Sequence, residues 1–374
     1  MNDLIKHYKI SRENDHAISG VWHQFRENPS GTRLVYVNFE ENIPKDSHDY
    51  REAWIYTCNL DGTSQKKLWK TGKINDHNGA NAYWIDDNRI IYHSRNSENR
   101  EETYVRYVDS GEIQWGPILD AEVRNYNPTV KKAPLIKRPN KGVPYAELSL
   151  LDVDTGEIEV LFTAKEIAEK LQHWKVGNPE PSNWEFFLQF INPSGTHIAW
   201  IVNTLNETQY VPGMVNKGSE GTIQYLVSSR LDGTDFVVFG LKDFHQYWWD
   251  DETLFGFNEP EHSYICHIRK RDGSIVQTLA EEGNHGTYSP DRKWFVSDAP
   301  YSEGMQRLYL YRVGNPKPYK VLAEFDYKYE YGHRLHLDPS FSRDGKRVYY
   351  TKIVDIKQPR AQVFACDLSS LIEY

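Results

Sequence analysis

The sequence has few of the features that tie a chain to a disulfide-stabilised fold, a membrane or a nucleic acid. Its three cysteines, Cys58, Cys266 and Cys366, lie far apart and lack zinc-knuckle spacing, so we expect ordinary thiols. No stretch approaches the roughly 20 apolar residues of a membrane span. The net charge is -9 and no long basic run is present, which argues against nucleic acid as a partner.

The first ten residues carry no apolar segment of the kind that directs secretion. We therefore expect a cytoplasmic protein, with a periplasmic location as the alternative if the chain has been trimmed. The sequence sets no expectation for the oligomeric state.

The sequence is rich in aromatic residues, which make up 14% of the chain, and in short repeats. One repeat joins a turn of Pro, Asp, Ser and Gly to a short apolar strand, as β-turns do before a strand. Its copies are NPSGTRLVYVN (28–38), IDDNRIIYHS (85–94), NPSGTHIAWIVN (192–203), WDDETLFGF (249–257), SPDRKWFVSD (289–298) and SRDGKRVYYTK (342–352). A strand–turn–strand hairpin follows each copy, and DG, SG and TG are its hairpin turns.

The two patterns together make a four-stranded antiparallel unit of roughly 40–55 residues, the size of a propeller blade. The gap between the turns near 86 and 193 is double, so a degenerate blade starting near Asn127 completes a set of seven. We predict one all-β domain over residues 1–374, a seven-bladed β-propeller of four-stranded blades. Residues 5–10 would add the outer strand of the last blade and close the ring. Helical spacing predicts a short helical insertion near 164–177.

Histidines and one aspartate share a position in the repeat, which we call the register position: it lies five residues before the turn. His245, His285 and Asp338 occupy it in three consecutive blades, and His333 and His336 stand just before Asp338. Equivalent positions in consecutive blades are neighbours, so these side chains are predicted to converge on one patch.

The run H-x-x-H-x-D, formed by His333, His336 and Asp338, is typical of metal ligands. Side chains two apart on a strand point the same way, so His336 and Asp338 can reach one ion, with His285 joining from the adjacent blade. Three imidazoles and one carboxylate suit a divalent ion, Mn²⁺ foremost, with Zn²⁺, Fe²⁺ and Ni²⁺ as alternatives and Ca²⁺ less suited. The competing interpretation is a group of buried structural histidines.

His245 is either a further ligand, a general base or a structural residue packed against Trp248 and Trp249. An imidazole with a pKa of about 6.5 suits proton abstraction near neutral pH.

Polar residues surround the register position in other blades and suit a hydroxyl-rich ligand: His23, Gln24, Asn81 and Gln189. Four tryptophans lie nearby: Trp22, Trp84, Trp184 and Trp248. Stacking on sugar faces is one role for them, but burial between blades is the fate that we expect for each.

These motifs resemble the oligogalacturonate lyase family, seven-bladed propellers that cleave short pectin fragments by β-elimination. The resemblance is clearest over residues 232–352. The family segment HEFW-x-x-DG carries the catalytic histidine, and HQYWWDDE places His245 on it. The segment H-x-x-x-SPDG carries a metal ligand, here His285. The segment Q-x-x-H-x-H-PSFSPDG carries three more ligands, and these fall on His333, His336 and Asp338.

The chain departs from the family pattern at three positions. His333 replaces a glutamine and Asp338 a histidine, which keeps a divalent-ion set but puts the preferred metal in doubt. The family arginine on the strand before the DGT turn falls on Tyr225. Either another cation serves or the substrate differs, and Tyr225 becomes a candidate proton donor.

The resemblance implies a metal-dependent lyase that cleaves a 4-linked uronate oligosaccharide, such as a pectin fragment. The metal would offset the carboxylate charge while neutral His245 removes the C5 proton. One alternative is a glycoside hydrolase, which needs two suitably spaced carboxylates where the sequence shows only Asp338. The other is a carbohydrate- or protein-binding propeller without catalysis, because a fold does not fix a function.

Overall fold

The structure, a computed structural model, describes residues 5–20, 25–39, 50–75, 77–139, 144–171, 180–203, 224–241, 244–258, 264–298, 305–326, 335–355 and 360–372. Its strands form seven four-stranded antiparallel sheets, so the predicted seven-bladed β-propeller is confirmed. Within the described ranges, no helix has the length and apolarity needed to cross a bilayer.

The first blades contain the strands before residue 164. The N-terminal strand is β1 Lys6–Lys9; blade 1 is β2 His16–Ile18, β3 Arg33–Phe39, β4 Arg51–Asn59 and β5 Lys66–Ile74; blade 2 is β6 Tyr83–Trp84, β7 Arg89–Arg95, β8 Glu101–Tyr107 and β9 Ile113–Leu119; blade 3 is β10 Ala121–Val123, β11 Lys132–Lys137, β12 Glu147–Asp152 and β13 Ile158–Thr163. Blade 3 is the predicted degenerate blade, and its first strand begins ahead of the predicted start near Asn127.

The remaining blades follow a short helix, α1 Ala164–Lys170, and a 3-10 turn, Pro181–Asn183. Blade 4 is β14 Glu185–Ile191, β15 His197–Asn203, β16 Gln224–Arg230 and β17 Val237–Leu241; blade 5 is β18 Phe244–Trp248, β19 Thr253–Asn258, β20 Ile265–Lys270 and β21 Ile275–Ala280; blade 6 is β22 Gly286–Tyr288, β23 Trp294–Asp298, β24 Met305–Arg312 and β25 Lys320–Asp326; blade 7 is β26 Ser340–Phe341, β27 Arg347–Asp355 and β28 Arg360–Asp367, with β1.

The N-terminal strand closes the last blade as predicted. Strand β1 pairs antiparallel with β28, from Lys6 opposite Asp367 to Lys9 opposite Phe364. The first and last parts of the chain thereby share one sheet, and β28 is not left as an open edge.

Backbone contacts divide the chain into two compact units. Unit 1 comprises residues 1–117, 261–265 and 278–374, and unit 2 comprises residues 118–260 and 266–277. Blades 1, 2, 6 and 7 lie essentially in unit 1, and blades 3, 4 and 5 essentially in unit 2.

The turn between the first two strands of a blade explains the repeated NPSG motif. In blade 1, the Asn28 side-chain oxygen accepts hydrogen bonds from the amides of Thr32 and Arg33 at 2.9 and 2.8 Å. The Ser30 amide donates to the Asp87 carboxylate of blade 2 at 2.9 Å. The same contacts recur in unit 2, where the Ser194 amide donates to an Asp251 carboxylate oxygen at 2.7 Å. The repeat therefore encodes both the turn and its attachment to the next blade.

The helix α1 begins with a capping box in which Thr163 and Glu166 satisfy each other's backbone amides. Its buried residues, Ala164 and Ile167, join an apolar cluster of unit 2. The rest of the predicted helical insertion, residues 172–177, lies outside the described residues.

The apolar clusters form between successive blades, and tryptophans take part in them as expected. Trp84, Trp184 and Trp248 are all at most 5% exposed. The indole N–H of Trp84 donates to the backbone oxygen of Arg26 in blade 1, and that of Trp248 donates to Phe190 in blade 4. Burial of these three side chains is confirmed, whereas Trp22 lies outside the described residues.

The cysteines also behave as expected. Cys58, Cys266 and Cys366 are all buried, and no disulfide joins them.

Candidate metal centre

The candidate metal centre is built on the first hairpin of blade 6, in unit 1. Gly286 pairs with Ser297, so His285 and Asp298 stand opposite each other at the end of β22 and β23. The His285 amide donates to one Asp298 carboxylate oxygen at 2.8 Å, and its Nδ1 lies 3.1 Å from the other. Both side chains are fully buried. Two contacts from one carboxylate therefore fix the imidazole in place.

Blade 7 adds His336 and Asp338 from the segment before β26. The ring of His336 stands edge-on to that of His285, with centroids 4.3 Å apart. Its Nδ1 lies 3.4 Å from the side-chain nitrogen of Asn284. The Asp338 carboxylate lies 3.5 Å from Nδ1 of His285. Two blades thus bring two imidazoles and two carboxylates to one buried place.

Three of these residues offer ligand atoms close enough for one ion. The nearest nitrogen or oxygen atoms of His285, Asp298 and His336 all lie within 4.8 Å of one another. The ring of His77, from the loop before blade 2, is 4.9 Å from that of His336. This compact set of nitrogen and oxygen donors matches the predicted ligand chemistry.

Burial controls the charges of the cluster. Desolvation lowers the pKa of His285 well below its usual value, so its imidazole is neutral. Desolvation raises the pKa of Asp338 well above its usual value, the Asp298 charge raises it further, and the Arg26 charge opposes the rise. Without a cation, two carboxylates at one buried place repel each other, and a divalent ion would relieve that repulsion.

The hydrogen bonds of the cluster also fit a bound ion. Oδ1 of Asp338 is buried and has no hydrogen-bond partner in the part of the chain that the structure describes. A buried oxygen of this kind is costly, and a divalent ion in the cluster would offset its negative charge. Since Asp298 faces Nδ1 of His285, the imidazole is held with Nε2 as its electron-pair donor, as in carboxylate–histidine–metal arrangements. The residues present therefore fit a divalent ion.

The structure places the predicted residues of unit 1 as follows. His285, His336 and Asp338 come together, while His333, His23 and Gln24 lie outside the described residues. Asn81, at the register position of blade 2, is buried.

The predicted catalytic residues lie in unit 2. His245 is half-buried at the start of blade 5, and its φ of 53° is in the left-handed region. Tyr225, on β16, is 1% exposed and belongs to an apolar cluster with Trp184 and Trp200. Burial raises the pKa of its hydroxyl. Their predicted roles as base and proton donor stay predictions.

Gln189 occupies a structural position. Its fully buried amide donates to the backbone oxygens of Glu122 and Pro134 in blade 3, at 3.2 and 3.3 Å. In blade 5, Gln246 makes the equivalent bond to the oxygen of Leu188 at 3.0 Å. The Gln189 side chain therefore holds two blades together, and its predicted contact with substrate has no support from this position.

Sequence reasoning missed Asp298, which contributes a carboxylate as close to His285 as any in the cluster. The signal was present in the hairpin SPDRKWFVSD, because antiparallel pairing across its turn sets Asp298 opposite His285. Asp298 does not occupy the register position itself but faces it across the hairpin.

Comparisons with known proteins bear on the fold. No protein-family model matches the sequence, and no curated protein matches it. The structure is similar to that of an oligogalacturonate lyase in complex with manganese, at 13% identity and a TM-score of 0.62, covering 97% of this chain and 96% of that one. It is similar to an oligogalacturonate lyase from Vibrio parahaemolyticus, at 12% identity and a TM-score of 0.61, covering 99% and 96%.

A third similar structure has a different activity. It is a puromycin-hydrolysing peptidase of Mycobacterium tuberculosis, at 12% identity and a TM-score of 0.56, covering 95% of this chain and 53% of that one. The resemblance to oligogalacturonate lyases therefore holds at the level of the fold, which lyases and peptidases share.

Proposed function

We propose that this protein is a metal-dependent lyase that cleaves a 4-linked uronate oligosaccharide, such as oligogalacturonate, by β-elimination. The observation that carries the proposal is the buried cluster of His285, Asp298 and His336, with Asp338 beside it. A scaffold propeller has no need of two carboxylates and two imidazoles packed together without solvent, because such burial is costly.

The chemistry of a uronate explains why such a cluster is useful. The C5 proton is hard to remove, since the neighbouring carboxylate already carries a negative charge. A divalent ion bound by His285, His336 and Asp338, and by His333 as the sequence predicts, would supply positive charge at that carboxylate. Asp298 would keep the His285 ring oriented for the ion.

The proposed base is His245, on the basis of the repeat register and of the family resemblance. A neutral imidazole takes the C5 proton, and the 4-linked oxygen then leaves to give an unsaturated sugar. Tyr225 is kept as the proposed proton donor to the leaving oxygen.

The similar solved structures support the proposal in one further respect. One of them is described as a lyase in complex with manganese, and its chain is covered over nearly its whole length. We therefore propose Mn²⁺ as the ion to supply first.

The test is the ultraviolet absorbance of a new conjugated double bond when the protein is incubated with oligogalacturonate and Mn²⁺, with and without a chelator. The proposal predicts a rising signal that the chelator abolishes. A flat trace with reducing ends released would instead indicate hydrolysis, and no product of either kind from metal-loaded protein would count against catalysis on this substrate.

His245→Asn tests the base, since asparagine tolerates the left-handed backbone but cannot take the proton. We expect a loss of about 10²–10⁴-fold in turnover, the usual contribution of general base catalysis. Metal content and melting temperature should stay at the wild-type values. Full activity in His245→Asn would remove His245 from the mechanism.

A further inference from the structure

Arg26, in blade 1 of unit 1, is a buried cation beside the metal centre. Arg26 is only 2% exposed to solvent. Its Nε and Nη2 atoms are buried and have no hydrogen-bond partner among the described residues. Its backbone is held firmly, because its carbonyl oxygen accepts from the Trp84 indole and from the Val35 amide, both at 3.1 Å.

The surroundings of Arg26 make room for the guanidinium. A Cβ placed on Gly20, whose φ is +86°, would lie 3.1 Å from Nη1 of Arg26. Burial lowers the pKa of Arg26 to about 10, with Tyr83 and Asp338 opposing the fall, so the group is still cationic at neutral pH. Its charge acts on Asp338, yet no ion pair joins the two residues. Contacts connect the guanidinium to the cluster through Gly20, because the amide of the preceding Ser19 donates to the Thr351 hydroxyl at 3.0 Å. The Thr351 amide in turn donates to the backbone oxygen of Leu337, the residue before Asp338, at 2.8 Å.

The charge balance of the cluster indicates what belongs beside Arg26. The carboxylates of Asp298 and Asp338 together balance one divalent ion, which leaves the guanidinium as uncompensated positive charge. A buried cation without a partner is costly, and one carboxylate from a ligand would remove that cost. The planar fork of arginine donates two parallel hydrogen bonds to a carboxylate.

We propose that Arg26 binds the carboxylate of the uronate substrate next to the metal ion. The inference rests on the proposed function and deepens it, because it makes an unesterified carboxylate the group that the site selects. A methyl-esterified uronate lacks the charge that the guanidinium pairs with, so the site rejects it.

The experiment measures binding of galacturonate and of its methyl ester to Mn²⁺-loaded protein by calorimetry. Wild-type protein should bind galacturonate at least tenfold more tightly than the ester. Arg26→Gln should lose roughly tenfold to a hundredfold in galacturonate affinity, as expected for a charge-assisted bidentate contact. The matched control is Arg89→Gln in blade 2, a variant that should bind like wild type. The Arg89 guanidinium is partly buried and, unlike that of Arg26, pairs with a carboxylate, that of Asp86.

Metal analysis and a second variant separate the outcomes. Arg26→Gln should retain its Mn²⁺, and loss of the ion would show that Arg26 only keeps Asp338 in place, which overturns the inference. If Arg26→Gln does not fold, Arg26→Lys decides, since it keeps the charge without the fork and should bind galacturonate several-fold more weakly. Wild-type affinity in folded Arg26→Lys, or equal binding of acid and ester by wild type, also overturns it. If galacturonate bound tightly and in an Arg26-dependent way but no unsaturated product formed, the lyase proposal would fail while the role of Arg26 in carboxylate binding would stand.

Discussion

Blades 4 and 7 carry the same backbone feature with different side chains. The register position holds Leu188 in blade 4 and Asp338 in blade 7, with φ of 53° and 46°. Leu188 packs in an apolar cluster, and the next residue, Gln189, bonds to blade 3. Asp338 instead presents a carboxylate to His285 of blade 6. One local geometry thus serves packing in one blade and a polar cluster in another.

The difference separates what the fold provides from what the site requires. A residue with positive φ also occupies the register position at Asn81 and His245, so among the described residues four blades place a side chain in this way. The polar cluster exists only where the residue types change and where the neighbouring blade supplies His285 and Asp298. The repeat fixes the position, and individual substitutions decide the chemistry.

The largest expected effect comes from removing the residue that joins the two blades of the cluster. His285→Ala deletes a proposed ligand and removes the ring nitrogen, Nδ1, that the Asp298 and Asp338 carboxylates both approach. We expect metal affinity to fall by more than the roughly 10–100-fold that loss of an outer partner causes, and lyase activity to fall to background.

Metal analysis after dialysis, together with the absorbance assay, measures both effects of His285→Ala. The control is His197→Ala, which removes a half-buried histidine of unit 2 that pairs with Asp235. If His285→Ala bound Mn²⁺ like wild type, the cluster would have a structural role. The register position would then serve packing in blade 7 as it does in blade 4.

Asp298→Asn tests the residue that orients the proposed ligand His285 and so extends the comparison of blades 4 and 7 to the hairpin of blade 6. The amide keeps the shape but weakens the carboxylate contact that orients His285. We expect a loss of roughly 10–100-fold in Mn²⁺ affinity with little change in melting temperature. Competition with a chelating dye measures the affinity, and Asp291→Asn, in the turn of the same hairpin, is the matched control. Equal affinities in the two variants would mean that Asp298 does not act on the metal.

The sequence was sufficient to predict the fold because the turns repeat with their own chemistry. The side-chain oxygens of Asn28 and Asn192 accept the same hydrogen bonds from amides that follow in the turn. The turn can therefore be predicted from the local sequence alone. The closing strand, β1, was predictable because the last blade lacked one strand and the N-terminal segment alternates suitably.

The site was predictable only along the repeat. The repeat register is enough to predict that His285, His336 and Asp338 converge. Predicting Asp298 needs the strand pairing across a hairpin, and predicting Arg26 needs the packing of a neighbouring blade. The substrate contact predicted for Gln189 stays a prediction, and the direction of its side chain depends on packing: its amide donates to the backbone oxygens of Glu122 and Pro134 in blade 3. The sequence alone does not show which side of a buried strand a polar residue faces.

Gln189→Leu tests whether blade 4 has only a structural role at this position. The substitution leaves two buried carbonyl oxygens of blade 3 without their donor, at a cost of about 1–3 kcal/mol in the free energy of unfolding. Chemical denaturation measures that loss. Mn²⁺ and galacturonate affinities should be unchanged, with Gln246→Leu as the equivalent variant in blade 5. A loss of galacturonate affinity with intact stability would support the predicted role of Gln189 in substrate binding.

Gly20→Ala produces the smallest expected effect and asks how closely the cluster depends on the space around Arg26. Alanine at a φ of +86° costs about 1 kcal/mol in stability from backbone strain. Gly111→Ala carries the same strain at a φ of +75° but meets nothing within 4 Å, so it isolates the backbone term. Because the added methyl in Gly20→Ala contacts the guanidinium, galacturonate affinity should fall in that variant alone, while both lose similar stability. Equal galacturonate affinity in the two variants would show that binding tolerates a displacement of the Arg26 guanidinium. The charge of Arg26, rather than its exact position, would then distinguish blade 1 from the other blades.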